Sequence, residues 1–279
     1  MTSPDRASRR RAPLRVALIG WGAIARRFAQ LALKRNPGSV EIVAVCLRDQ
    51  REREDGDLPP GAVLALDPAT LAQLAPDLVI EAAGREAVSE WGEAALTHAP
   101  AFAVASTSAF CDEALLARLI ACSERSGTQL LIPPGALAGV DALAAASALD
   151  LDSVTHSIVK PPAAWRGTPA QELIDLDALG EATIFFAGSA REAACGYPQN
   201  ANVAVITALA GVGLDRTRIE LVADPAARRN GHRIRAEGAF GTLDVRIENK
   251  PLASNPKSSE MTALGLVRLA ENRIRALAR

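Results

Sequence analysis

The feature that most constrains this chain is Gly20-Trp21-Gly22-Ala23-Ile24-Ala25, set between the apolar run Leu14–Ile19 and a helical stretch. A strand that turns through glycines into a helix gathers unpaired backbone N–H groups at one point, where they and the helix dipole attract phosphate. Gly20 permits the tight turn, Gly22 lets backbone approach a pyrophosphate, and the small Ala25 lets helix and strand pack closely. Ala23 and Ile24 open the helix whose N-terminus supplies the donors. The segment predicts a dinucleotide cradle formed by Gly20, Gly22, Ala23 and Ile24.

The surrounding pattern supports that cradle. Leu14–Ile19, Glu41–Leu47, Ala62–Leu66, Asp77–Ala82, Ala101–Ser106 and Thr128–Ile132 are mostly continuous apolar runs, as in strands buried on both faces. Helical stretches lie between them, near 23–36, 68–75, 86–98 and 112–126, with another at 138–149. The alternation predicts an α/β fold, a Rossmann-type doubly wound parallel sheet. Beyond Asp150 the rhythm changes to in–out alternation at 153–160 and 242–248, which predicts an α+β domain with a mixed or antiparallel sheet. Asn202–Leu209 reads as a buried helix, and Ser259–Ala278 carries one apolar stripe at helical spacing. The expected organisation is a basic arm at 1–12, a dinucleotide-binding domain at 13–137, a catalytic and oligomerisation domain at 138–255, and a helix at 256–279 packing back on the body.

Composition narrows the class. A chain of 279 residues that is 49% hydrophobic and 23% charged has the make-up of a globular protein of about two domains. With 31 basic and 32 acidic residues, its net charge of −1 provides no field for nucleic acid. No apolar run approaches the roughly 20 residues of a membrane span. Arg9-Arg10-Arg11 precedes LRVALIG, a stretch too short for a secretory leader, so a cytoplasmic protein is expected. Cys46, Cys111, Cys122 and Cys195 show neither CxxC nor metal-ligand spacing; no metal is expected, and most should be buried as small hydrophobes. Only four basic residues are lysines, and three of them, Lys160, Lys250 and Lys257, adjoin proline. In a chain that otherwise uses arginine, that retention suggests places where a compact ammonium matters.

Several residues are candidates for the site. The second strand ends in Leu47-Arg48-Asp49, where an acid would grip the ribose of NAD and Arg48 would accept the 2′-phosphate of NADP. Both cofactors are open, with a lean to NADP. Glu81-Ala82-Ala83-Gly84, Ser106-Thr107-Ser108-Ala109 and Gly135-Ala136-Leu137 follow strands at the carboxyl edge, where small residues such as Ala83, Ala109 and Ala136 admit a nicotinamide ring. Of three histidines, His98 is expected at the surface, and His156 shares a strand face with Val154 and Ile158 as a core or interface residue. His232 lies where a polar turn meets a strand, suited to proton transfer near neutral pH. Lys160 and Lys257, with Arg166 in reserve, are candidate partners for carboxylates.

The pattern resembles the L-aspartate dehydrogenase family from Val16 to about Thr262. The resemblance rests on GWGAIA at 20–25, PPGALAGVDAL at 133–143, VKPP at 159–162, YPQNANVAVITALAGVG at 197–213, ADP at 223–225 with NGH at 230–232, FG at 240–241 and NPKSS at 255–259. One departure is STSAF at 106–110, where the family more often has glycine before the alanine. The resemblance implies NAD- or NADP-dependent deamination of L-aspartate through iminoaspartate to oxaloacetate and ammonia. It implies His232 as the catalytic residue, cofactor contacts at Ala136 and Asn202, and substrate contact at Asn200 within the long 197–213 motif. It further implies a homodimer or larger assembly and a link to NAD biosynthesis. Two other readings stay open: a non-catalytic NAD(P)-binding regulator, and a dehydrogenase or imine reductase for another small acid.

Overall fold

A computed structural model describes residues 12–49 and 58–278, so the expected basic arm lies outside the described residues except for Ala12. The first strand, β1 (Leu14–Ile19), is buried along nearly its whole length and feeds α1 (Ala23–Arg35), which buries Ala25, Phe28, Ala29 and Ala32. There follow β2 (Val40–Cys46), β3 (Val63–Ala65), α2 (Leu71–Leu74), β4 (Leu78–Glu81), α3 (Arg85–His98), β5 (Ala101–Val104), α4 (Glu113–Ser126) and β6 (Gln129–Leu131). The six strands form one parallel sheet in the order β3-β2-β1-β4-β5-β6. The order reverses between β1 and β4, which opens a crevice beyond their carboxyl ends.

Local chemistry sets the boundaries. Asp112 caps α4 by accepting from the N–H groups of Ala114 and Leu115, and Gly127 ends it at φ 64°. The helix expected at 68–75 is broken into a 3-10 turn, Pro68–Thr70, capped by Asp67, and the single turn α2. Cys46 and Cys122 are buried, Cys111 is half-buried and Cys195 exposed, so only two of the four cysteines serve as core residues; all are free.

The second part comprises α5 (Val140–Ala146), β7 (Leu151–Lys160), α6 (Ala170–Leu173), β8 (Thr183–Ser189), α7 (Ala190–Gly196), α8 (Ala201–Ala210), β9 (Arg218–Ala223), β10 (Asn230–Gly238), β11 (Gly241–Asn249), β12 (Pro251–Leu252), β13 (Asn255–Ser259) and α9 (Glu260–Ile274). Its sheet runs β11-β10-β7-β9-β8, with β7–β9 parallel and the other pairs antiparallel. A capping box between Ser189 and Glu192 starts α7. Helices α7 and α8 cover one face, where Ala193, Ala204 and Ala208 belong to the same core as Ile158, Ile219 and Leu221.

Helix α9 returns to the first sheet, burying Leu266, Val267 and Ala270 among Leu14, Val16, Leu18 and Phe28. Glu271 locks it there through Arg35, 2.8 Å away. The C-terminal helix and the first sheet therefore share a core. Among the described residues, no helix is long and apolar enough to cross a membrane.

Candidate active site

Two adjoining cavities lie along the carboxyl edge of the first sheet. The first, about 560 Å³, is lined by Gly20, Trp21, Gly22, Ala23, Arg48, Ala83 and Gly84, among others. Gly20 adopts φ +91°, and a Cβ there would stand 2.7 Å from that of Ala83, so glycine is required. Its N–H donates to the Cys46 carbonyl at 2.8 Å, tying the turn to the adjacent strand. Gly22 differs. A Cβ at this position would meet nothing within 4 Å, and no side chain caps α1. The helix N-terminus thus opens onto the first cavity with no acidic residue in its first turn, which fits the pyrophosphate of a dinucleotide.

Glu81 organises the far wall of this crevice. Fully buried at the end of β4, its carboxylate accepts from the N–H groups of Ala83 at 2.7 Å and Gly84 at 2.9 Å. It also accepts from the Ser106 N–H at 2.9 Å and the Ser106 hydroxyl at 2.7 Å. Burial pushes its pKa up, and these four donors pull the other way. One carboxylate so holds the loops after β4 and β5 in register. Sequence reasoning noted the segment without assigning this task; an acid ending an apolar strand was the available signal.

The second cavity, about 290 Å³, joins the first across Ala82 and Ala83. Around it stand Ile24, Ala136, Lys160, Asn200, Asn202, His232 and Lys257, residues from both halves of the chain. Asn249 and Lys250 also line it and were not anticipated as site residues, although Lys250 carries the lysine–proline signature. Asn202 joins the halves: its Oδ1 accepts from the Ser108 N–H at 2.9 Å and its carbonyl from the Thr107 hydroxyl at 2.9 Å. Asn249 is buried and donates to the Ala136 carbonyl at 2.8 Å, holding the loop that follows β6.

Two expected residues fall elsewhere. Ala109 lies 5% exposed in a 3-10 turn, Thr107–Cys111, that carries its side chain into the core, and it lines neither cavity. Ala105 and Ser106 reach the second cavity in its place. Arg166 pairs with Asp177 in a different, exposed groove. His98 is exposed, as its position near a helix end suggested.

The electrostatics revise the basis on which His232 was selected. The ring is buried, and its pKa falls to about 3 because of burial first and the charge of Lys160 second. It is therefore neutral throughout the physiological range and does not titrate near pH 7. Lys160 is itself buried; its Nζ lies 4.6 Å from the centroid of the Trp165 ring, and burial lowers its pKa to about 8. The group poised near neutrality is the lysine. His156 is fully buried and touches His232, with its Nε2 3.1 Å from Nδ1 of that ring. The expected core histidine thus directly adjoins the site.

Comparison with known proteins places this geometry. Residues 20–133 match the family model of the homoserine dehydrogenase NAD-binding domain, and residues 141–273 match that of the aspartate dehydrogenase C-terminal domain. Matches of both kinds, on a sheet whose crevice suits a dinucleotide, make the protein an NAD(P)-dependent oxidoreductase. It is 59% identical over 259 residues to an L-aspartate dehydrogenase of Brucella anthropi, covering 93% of this chain and 96% of that protein. A Serratia proteamaculans L-aspartate dehydrogenase is 46% identical over 254 residues, covering 91% and 94%. The chain belongs to the L-aspartate dehydrogenase family. The crystal structure of an aspartate dehydrogenase from Thermotoga maritima superposes with a TM-score of 0.74 at 28% identity, covering 95% of this chain and 98% of that one. Family membership sets aside the reading of a non-catalytic regulator.

Proposed function

We propose that the protein oxidatively deaminates L-aspartate through iminoaspartate to oxaloacetate and ammonia. One observation carries the reading. Three of the four lysines of the chain, Lys160, Lys250 and Lys257, converge on the cavity that holds His232, and among the described residues lining it none is acidic. A small dicarboxylate matches that field, and the family relatives bear the name of such a substrate.

Bound NAD or NADP would supply the hydride acceptor; Gly20, Gly22 and Ala23 would hold it in the first cavity, and Ile24, Ala83, Ala136 and Asn202 would hold it where the two cavities meet. Lys160 and Lys257 hold the two carboxylates, with Asn200 beside them, and so fix the substrate Cα against the first cavity. A carboxylate beside Lys160 holds that group in its charged form. The same pairing offsets the positive charge that depresses His232, so substrate binding makes the histidine a stronger base. Loss of hydride from Cα of the neutral amine leaves an iminium; His232 then takes a proton from the attacking water, and a carbinolamine forms. His232 returns that proton to the nitrogen and, as the carbon–nitrogen bond breaks, takes up the proton of the hydroxyl, so that ammonia leaves and the carbonyl of oxaloacetate forms.

The division at 13–137 and 138–255, with 256–279 returning to the body, belongs to this reading and is supported by the two family matches. Homo-oligomerisation and a supply of iminoaspartate to NAD biosynthesis rest on the family resemblance alone, and a cytoplasmic location on the short apolar stretch after Arg9-Arg10-Arg11.

The test is NAD(P)H production across a panel of amino acids. L-Aspartate should be the preferred substrate, and His232→Ala should lower kcat by about 10²–10⁴-fold with cofactor affinity nearly unchanged. Turnover of another small acid in place of L-aspartate would support the remaining alternative. No turnover of any amino acid would defeat the proposal.

A further inference from the structure

His156 lies outside the cavity lining, yet it forms the inner end of a hydrogen-bonded chain that reaches the catalytic candidate. Register explains how they meet. His232 on β10 lies opposite Ile158 on β7, and His156 lies opposite Ile234, so the two rings are diagonal neighbours on one sheet face. Their centroids are 5.3 Å apart with an interplanar angle of 54°. On its other side, His156 Nδ1 lies 2.9 Å from Oγ1 of Thr207, a fully buried residue of α8. The Thr207 hydroxyl donates to the Val203 carbonyl at 3.1 Å.

Proton counting assigns the tautomers. A helical threonine hydroxyl commonly gives its one proton to the carbonyl four residues before it; given to Val203, it leaves the Thr207 oxygen to accept from His156. A neutral imidazole carries one N–H; with Nδ1 as the donor, His156 Nε2 is left as an acceptor. It then takes the Nδ1–H of His232. His232 in turn has a bare Nε2, and because its Nδ1 is tied inward, Nε2 is the nitrogen left for the cavity. Burial lowers the basicity of both rings, and the charged group acting on the pair is Lys160, through His232. From β9 and β10, the residues opposite His156 are Ile219 and Ile234, and α8 presents an uncharged hydroxyl.

We propose that His156 is a positioning residue for the reaction: with Thr207 behind it, it holds His232 in the tautomer whose Nε2 lone pair faces the substrate cavity. The proposal rests on the deamination reading above, in which His232 accepts a proton from water. The chain orients and does not conduct, since the Val203 carbonyl at its inner end has no proton to give or keep.

The chain has only three histidines, so ¹⁵N-histidine labelling of the full-length protein with NAD bound yields a spectrum simple enough to assign. His232 should show the Nδ1–H tautomer and stay neutral from pH 6 to 9. His156→Leu should shift it toward Nε2–H and lower kcat for L-aspartate by about 10–100-fold, with KM changing less than about threefold. His156→Gln, whose carbonyl can replace the acceptor, should restore the tautomer and most of the rate. Should the leucine variant fold poorly, Thr207→Val removes the outer anchor with little change in shape and should act in the same direction.

A wild-type His232 carrying its proton on Nε2 overturns the proposal. So does a shifted tautomer in His156→Leu or Thr207→Val with kcat unchanged, or a fall in rate that glutamine does not restore. Absence of L-aspartate turnover in the wild type would count instead against the proposed function, because the tautomer is read without substrate.

Discussion

Two glycines of one turn should fail in opposite ways when substituted. Gly22→Val places a branched side chain where the structure leaves nothing within 4 Å of a Cβ, at an ordinary φ of −80°. Loss of glycine at the N-cap costs about 1 kcal/mol, a fall of about 2–4 °C in Tm. The valine instead fills the space in front of the α1 N-terminus. Losing two charge-assisted N–H contacts to phosphate, at about 1.5 kcal/mol each, weakens cofactor binding roughly 100-fold. Gly20→Ala does the reverse. Its φ of +91° disfavours any Cβ by about 1–2 kcal/mol. Contacts of 2.7 and 2.9 Å with Ala83 add an overpacking cost of about 1–3 kcal/mol. The sum of about 2–5 kcal/mol predicts a Tm lower by about 5–15 °C. NADH fluorescence titration and thermal unfolding of both variants separate the cases. Wild-type affinity in Gly22→Val would remove the pyrophosphate from this turn, and wild-type stability in Gly20→Ala would show that the loop at Ala83 yields freely.

Other consequences follow from the charged and titrating groups. Arg48→Ala should weaken NADP binding much more than NAD binding in parallel titrations; equal losses would place the ribose phosphate elsewhere. Because the Lys160 pKa falls from 10.5 to about 8, the folded state carries a penalty of about 3 kcal/mol below pH 8 that fades as pH rises toward 10.5. Lys160→Met should therefore stabilise the protein at pH 7 and flatten its stability between pH 8 and 10. In the wild type, KM for L-aspartate should rise as pH passes about 8, when the carboxylate loses its charged partner. His156 and His232 stay neutral in the folded state while unfolded histidines gain protons below about pH 6.5. Stability should then fall by about 1.4 kcal/mol per pH unit for each ring as pH drops below 6.5, measurable by urea unfolding at pH 5 and 7.

Much of the dinucleotide half was legible because its signals are local. A strand buried on both faces must be apolar along its length, and the turn at 20–25 must carry glycine where its neighbour Ala83 presses close. The lysines beside proline were also informative, since three of them do meet in one cavity. Strands β8 and β9 were not legible: β8 is partly exposed on both faces, and β9 lacks clean alternation, so neither period shows. Ala109 was misplaced because spacing from a strand end cannot tell which way a 3-10 turn points its side chains. The largest gap concerns the histidines. The chain itself put His232 at a turn-to-strand junction and His156 on an apolar strand face. Only the pairing of β7 with β10 brings residues 76 positions apart to 3.1 Å. Only burial beside Lys160 then sets the basicity of His232. Composition and period belong to the covalent chain, whereas proton affinity and tautomer depend on the dielectric and the hydrogen-bond partners that distant segments bring, and those exist only once the sheets have paired.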